Sequence, residues 1–352
     1  MRLILALLIL MVMISVCIIR SKKYIRKKRG RDMNKKKLGM IIGIVVIAVG
    51  TTIITSKLGK RETNDVISTK TINVVHDVGE TEVPINPEKV VTLSYSTLDI
   101  LDEMDLEDKI VGTAKSGLPS YLEEYNTESV EDLGGLKEFN IEKINELQPD
   151  LIIIEGRQAE SYEELSKIAP TIQLGNDYTD FLGSLERNVS ALGTIFDKGD
   201  FASQQLNEVK ERIELVSKKV KNENMNGIAM MVTDGSMSVY GNGSRFSILF
   251  NSFGFEAADL EIEVSNHGQN ISYEYLLDKN PNYLFVIDKA NATGSVDTPA
   301  AAKEILSNDL VKTTDAYKKN NIIYLNGPAW YVGGAGLQAI DLMITDMENI
   351  IK

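Results

Sequence analysis

Hydrophobic and polar positions fall into three regimes along the chain. Two apolar runs open it, Leu3 to Ile19 and Leu38 to about Ile54, separated by the basic stretch Arg20 to Lys37. Each run is close to the lower length of a helix that spans a bilayer, roughly 17–25 residues. From Glu62 to Ser68 the chain is polar and reads as a linker. Short apolar runs then alternate with amphipathic ones. Strands are predicted over Lys89–Tyr95, Lys109–Ala114, Leu151–Glu155 and Thr171–Leu174, with helices such as Thr97–Met104 and Ile141–Leu147 between them. That is the rhythm of a parallel sheet covered by helices.

The rhythm stops for one long helix. Leu206, Val209, Ile213, Val216 and Val220 recur at alternating three- and four-residue steps, while Lys210, Glu211, Arg212, Lys218 and Lys219 fill the other faces. The result is a single apolar stripe from roughly Asp200 to Lys221. After Asn226 the alternation resumes, with strands predicted over Gly227–Thr233, Ser238–Tyr240, Tyr283–Ile287 and Asn321–Leu325. The simplest architecture is α/β, with two lobes joined by one interlobe helix. The corresponding boundaries are an N-terminal segment 1–61, a linker 62–70, a lobe 71–198, the helix 199–222 and a second lobe 223–352. A chain of 352 residues is long enough for two such units.

The lobes carry an internal echo. Glu142 precedes Pro149 by seven residues, and Glu274 precedes Pro281 by the same seven. Both stretches read as helix, proline turn and buried strand. A common αβ unit recurring by chance and a pair of related lobes with equivalent surface acids both account for it.

Charge sharpens the division. Residues 1–61 hold fifteen Lys and Arg against the single acid Asp32, so the overall −12 leaves −26 on residues 62–352. So acidic a body argues against nucleic-acid binding, which needs a basic face to displace counterions from phosphate. By the positive-inside rule the basic stretch lies in the cytoplasm and everything after Lys57 outside. Met33 followed by Lys35–Lys37 and the run Leu38–Val49 also has the form of an independent export signal, which makes Met33 an alternative start. An uncleaved anchor is the favoured reading; a cleaved signal, on the weak small-residue match of Ala48 and Gly50, is the alternative. The one cysteine, Cys17, follows the large Val16 within the first apolar run, so the rest of the chain can form neither a disulfide nor a thiolate metal site.

From about Thr71 to the end the chain resembles the bacterial iron-siderophore binding proteins of ABC importers, those with a helical interlobe backbone and the class III periplasmic binding protein fold. It is most similar to their catecholate, petrobactin-type branch. The likeness is carried by Asn86-Pro-Glu-Lys-Val-Val, Asp132-Leu-Gly-Gly, Gln148-Pro-Asp-Leu-Ile-Ile, Gly156-Arg-Gln, Ile168-Ala-Pro-Thr, Gly243-Ser-Arg-Phe, His267-Gly, Lys279-Asn-Pro-Asn-Tyr-Leu-Phe-Val and Trp330-Tyr. The ordered set is specific, whereas Gln-Pro-Asp-Leu-Ile-Ile alone is common. The resemblance implies two Rossmann-like lobes around a shallow cleft, closure limited by the long helix, and no chemistry. It also implies a monomer on the outer face of the cytoplasmic membrane that hands its cargo to a permease dimer with its ATPase. Glu142 and Glu274 match the glutamates that dock on such a permease; their bland reading is two solvated helix acids.

A ferric catecholate complex is anionic and rich in oxygen, and arginine suits it through a planar, permanently charged fork of donors. Arg157 follows the strand Leu151–Glu155 at the carboxyl end, where α/β sheets bind ligands. Arg245 lies in a Gly-Asn-Gly-Ser turn, and Lys289 ends the strand Tyr283–Asp288. The family pattern has arginine at all three positions; Lys289 keeps the charge and loses the fork. A surface ion pair is the ordinary reading of any one of them. Trp330 is expected beside the cargo. His267 and Tyr331 match the family's His before Gly and Tyr after Trp, which implies that they complete the iron shell when the siderophore supplies only four donors. The ordinary readings are a loop histidine and a half-buried tyrosine with a wet hydroxyl.

Other classes find less support. There is no Gly-x-Ser-x-Gly elbow, no His-Glu-x-x-His and no cysteine nucleophile, so a metal-dependent hydrolase lacks its parts. The same fold could instead carry haem, cobalamin or another metal chelate, or serve as a sensor or adhesin.

Overall fold

The computed structural model describes residues 70–351 apart from Asn266 and Asp297. The expected signal or anchor over 1–61, with Cys17 and Met33, lies outside the described residues, as does the linker apart from Lys70. None of the described helices is long and apolar enough to cross a membrane.

A hairpin of β1 (Thr71–His76) and β2 (Gly79–Pro84) begins the described chain. Next come β3 (Val90–Thr92), α1 (Tyr95–Glu103), β4 (Ile110–Thr113), β5 (Glu131–Asp132), α2 (Ile141–Leu147), β6 (Leu151–Ile154) and β7 (Thr171–Gln173). The five strands β3–β7 form one parallel sheet in the order β5-β4-β3-β6-β7. Every residue of β3 and β6 is buried, as strands covered on both faces require. Helices α3 (Phe181–Ile195) and α4 (Gly199–Asn222) follow. At about 1.5 Å per residue α4 is roughly 36 Å long, and its buried side is the predicted stripe from Leu206 to Val220.

The second half holds β8 (Asn226–Thr233), β9 (Ser236–Tyr240), β10 (Glu256–Ala257), β11 (Gln269–Ile271), α5 (Tyr273–Lys279), β12 (Tyr283–Asp288), β13 (Ile322–Tyr324) and α6 (Leu337–Ile350). Its sheet runs β11-β9-β8-β12-β13, with β10 beside the start of β8. Strands β8, β12 and β13 are parallel; β9 runs antiparallel to β8, and β11, antiparallel to β9, again points the same way as β8. The uninterrupted parallel alternation expected there gives way to a hairpin. Asp234 and Gly235, at φ 46° and 83°, make its two-residue turn, which needs positive φ at both positions.

Both helices of the internal echo are seven residues long and end on a left-handed residue, Gln148 or Asn280, immediately before the proline. Proline cannot continue a helix, so each chain turns there into a strand flanked on both sides, β6 or β12.

Side chains alternate across the second sheet. Ala229, Met231, Phe285 and Ile287 face a core that also takes in the first sheet, α4 and α6. Ile228, Met230, Val232, Leu284 and Val286 face a smaller core on the other side. One apolar interior therefore runs through both halves. Helix α6 locks it: Asp99 on α1 accepts hydrogen bonds from the Gln338 and Ala339 amides at 2.7 and 2.9 Å, filling two otherwise unpaired donors of the helix start.

Candidate functional site

The carboxyl ends of the parallel strands open on a cleft of about 1370 Å³. Loops after β6 and β7 line one side; the β8–β9 hairpin, the turns after β9 and β12, and the segment before α6 line the other. This is the crevice position at which α/β sheets take ligands.

Arg157 stands exposed on a turn that starts at Gly156. Behind it, the Gln158 side chain accepts from the Glu155 amide at 3.0 Å, and the Glu155 carboxylate accepts from the Ser94 and Ser96 hydroxyls at 2.6 and 2.8 Å. Arg157 itself has no ion-pair partner among the described residues, nor has Lys289. Lys289 opens the helical turn after β12, where the Asp288 carboxylate caps the Ala290 and Asn291 amides.

Arg245 is held on three sides. Its guanidinium lies 4.4 Å from the Tyr331 ring centre and 5.7 Å from that of Tyr178, and its Nη1 donates to the Tyr331 carbonyl at 3.1 Å. Tyr178 follows β7 and Tyr331 precedes α6, so the two halves of the cleft meet on this one cation. The Arg245 Nε is buried and has no protein partner.

His267 is exposed on the same cleft, and Tyr331 lines it half-buried. Trp330 differs from expectation. It is only 4% exposed, its indole N–H donates to Asp346 on α6 at 2.8 Å, and its ring packs 6.2 Å from Phe253. It supports Tyr331 from behind, and a neighbouring hollow of about 20 Å³ is the nearest space it lines. The same acid accepts the Asn326 amide at 2.8 Å, and burial raises its pKa.

The cleft also holds cations that the strand pattern did not single out, Lys137 after β5 and Arg187 on α3. With Arg157, Arg245 and Lys289 they make five cations against four acids, Asp77, Glu155, Asp177 and Asp234. Three of those acids already serve protein donors: Glu155 as above, Asp77 the Gly175 amide, and Asp177 both the amide and the hydroxyl of Thr179. The Thr179 bonds hold the Asp177 carboxyl below its ordinary range. Arg187 also meets Asp180 at 3.5 Å, so the cleft lining carries only a small excess of cations, which within a strongly acidic body still suits an anionic, oxygen-rich ligand.

Glu142 and Glu274 lie elsewhere, exposed in the first turns of α2 and α5. The other described histidine, His76, is structural. Its Nε2 meets the Thr81 hydroxyl at 2.8 Å and its Nδ1 accepts the Gln173 amide at 3.3 Å, pinning the hairpin to β7, and burial lowers its pKa.

A family model of periplasmic binding proteins matches residues 90–329. The chain belongs to that family. Among its relatives, the petrobactin-binding protein YclQ of Bacillus subtilis is 39% identical over 311 residues, 87% of this chain and 97% of that one. The ferric-anguibactin-binding protein FatB of Vibrio anguillarum is 32% identical over 281 residues, 78% and 86% of the two chains. The crystal structure of YclQ superposes on 80% of this periplasmic binding protein, and 99% of its own chain, with a TM-score of 0.77. The catecholate-siderophore binding protein VctP of Vibrio cholerae gives 0.75 at 31% identity, over 80% of this chain and all of its own. The fold is the class III periplasmic binding fold, and the family is one of substrate-binding proteins.

Proposed function

We propose that this periplasmic binding protein captures a ferric siderophore of the catecholate type outside the cell and delivers it to an ABC permease for iron import. The observation that carries the reading is the convergence of Arg157, Arg245, Lys289, His267 and Tyr331, from both halves of the molecule, on one cleft. Relatives named for petrobactin, ferric anguibactin and a catecholate siderophore support that class of cargo.

The arginine forks pair with catecholate oxygens, and Lys289 adds charge without a fork. Iron enters as cargo with its own oxygen donors. Among the described residues no group of three or more His, Cys, Asp or Glu gathers to hold a bare ion. A four-donor siderophore leaves two octahedral positions, which we assign to His267 and the Tyr331 phenolate. The protein performs no catalytic step. We read residues 71–198 and 223–352 as the lobes, the helix between them as the limit on closure, Glu142 and Glu274 as the permease contacts, and residues 1–61 as an anchor on the outer face of the cytoplasmic membrane.

Fluorescence tests the reading directly, because Trp330 is the single tryptophan and lies behind Tyr331. Saturable quenching by ferric catecholates, and not by haem or cobalamin, is the expected result. Quenching by haem alone, or by none of the three, would leave the fold and remove the siderophore.

A further inference from the structure

The His267 imidazole has no hydrogen-bond partner among the described residues, unlike most metal-bound histidines, whose second ring nitrogen is held by a carboxylate or carbonyl. What fixes the side chain is therefore its backbone, whose amide donates to the Ser265 hydroxyl at 3.2 Å within the loop and whose carbonyl is held from β9 by Tyr240. Tyr240, at the end of β9, is 1% exposed and donates its hydroxyl to the His267 carbonyl at 3.1 Å. Gly268 lies flat on the same ring. Its φ of +73° is left-handed, and a Cβ there would stand 2.9 Å from the Tyr240 Cε2 and Cζ atoms. The ring is in turn fixed edge-on to Phe246, centres 4.8 Å apart at 78°. Strand β11 begins two residues beyond His267 and pairs Gln269 with Val239, so the loop is tethered to β9 just after the contact.

We propose that Tyr240 is a positioning residue that aims His267 into the cleft and so sets the preference of the site for cargo with fewer than six donors. The proposal rests on the assignment of His267 as an iron ligand. A hexadentate chelate fills the iron shell by itself and has no use for the imidazole; a tetradentate one needs it where Tyr240 holds it.

The test uses the full-length protein with Tyr240→Phe, His267→Ala, their combination, and Gly268→Ala. Phe keeps the ring contacts and deletes only the hydroxyl; Gly268→Ala pries the loop from the ring without touching the tyrosine, and serves should the first variant fold poorly. Trp330 quenching gives affinities for the ferric complexes of a linear bis-catecholate and of a tris-catecholate, and the readout is their ratio. His267→Ala should lower the tetradentate-to-hexadentate ratio tenfold or more, and Tyr240→Phe and Gly268→Ala about three- to tenfold, the worth of one hydrogen bond. The double variant should match His267→Ala alone. Equal losses for both chelates in the Tyr240 variant, or full additivity in the double, would overturn the positioning role. An unchanged ratio in His267→Ala would remove iron ligation by that residue, and this inference with it.

Discussion

The join between Gly336 and Asp99 makes a demanding prediction. Gly336 caps α6 with φ −90° and ψ 161°, a conformation open to any residue, so alanine there meets no backbone penalty. It meets a steric one: the new Cβ would lie 2.2 Å from the Oδ2 of Asp99 and 2.5 Å from its Cγ. Asp99 is fully buried and has no open space to turn into. The carboxyl must be displaced, and the Gln338 and Ala339 amides then face the interior without an acceptor. Two unsatisfied buried donors cost about 2–4 kcal/mol, and overpacking adds about 1–3. A total of about 3–7 kcal/mol corresponds to a fall in Tm of roughly 6–14 °C for a body of this size. Scanning calorimetry of Gly336→Ala measures it. Asp99→Ser makes room for the methyl and keeps one hydroxyl acceptor, so the pair should lose less than the sum of the single changes. A Tm within about 2 °C of the parent, or strict additivity, would show that this contact does not hold the helix.

Two further outcomes are expected. Burial pushes Asp99 up to about 8, against the smaller downward pull of the Gln338 and Ala339 amides. The folded protein therefore holds a proton that the unfolded chain, near its ordinary 3.8, gives up. This part of the stability is present in full below about pH 4, declines by up to about 1.4 kcal/mol per pH unit, and is gone above about pH 8. Urea unfolding across pH 5–8 should slope downward more steeply for the parent than for Asp99→Asn, and parallel slopes would refute the shift. At the proposed permease contacts, Glu142→Lys with Glu274→Lys should leave siderophore affinity within about twofold and abolish iron uptake by cells, since both acids are exposed and outside the cleft; undiminished uptake would remove the docking role.

The long helix was the most legible element, because an amphipathic stripe over six turns has no competing explanation; its observed ends, Gly199 and Asn222, are the bounds read from the sequence, one residue beyond the stripe at each end. Strand direction was harder to see. An apolar run such as Ser238–Tyr240 carries no sign of whether its neighbour is parallel, and the decisive mark is the Asp234-Gly235 pair, whose turn chemistry outranks the run. Helix α6 was legible in principle, with Leu337, Ile340, Met343, Ile344 and Met347 on one side, all of them buried. Lys137 and Tyr178 sit beyond strand ends, so the rule that singled out Arg157 reaches them once the sheet order is known. Trp330 shows the limit: its place beside Tyr331 in the chain fixes proximity, not facing, and the buried carboxyl of Asp346 decides which way the indole turns.

The apolar interior that passes unbroken from one sheet through α4 and α6 to the other has a bearing on traffic. On the proposed reading that α4 limits closure, vacant and occupied molecules would offer a docking partner almost the same outline. A permease then gains little from shape in telling a full carrier from an empty one, and vacant carriers compete for the same berth. Uptake should peak at an intermediate abundance of the protein and fall when carriers far outnumber cargo.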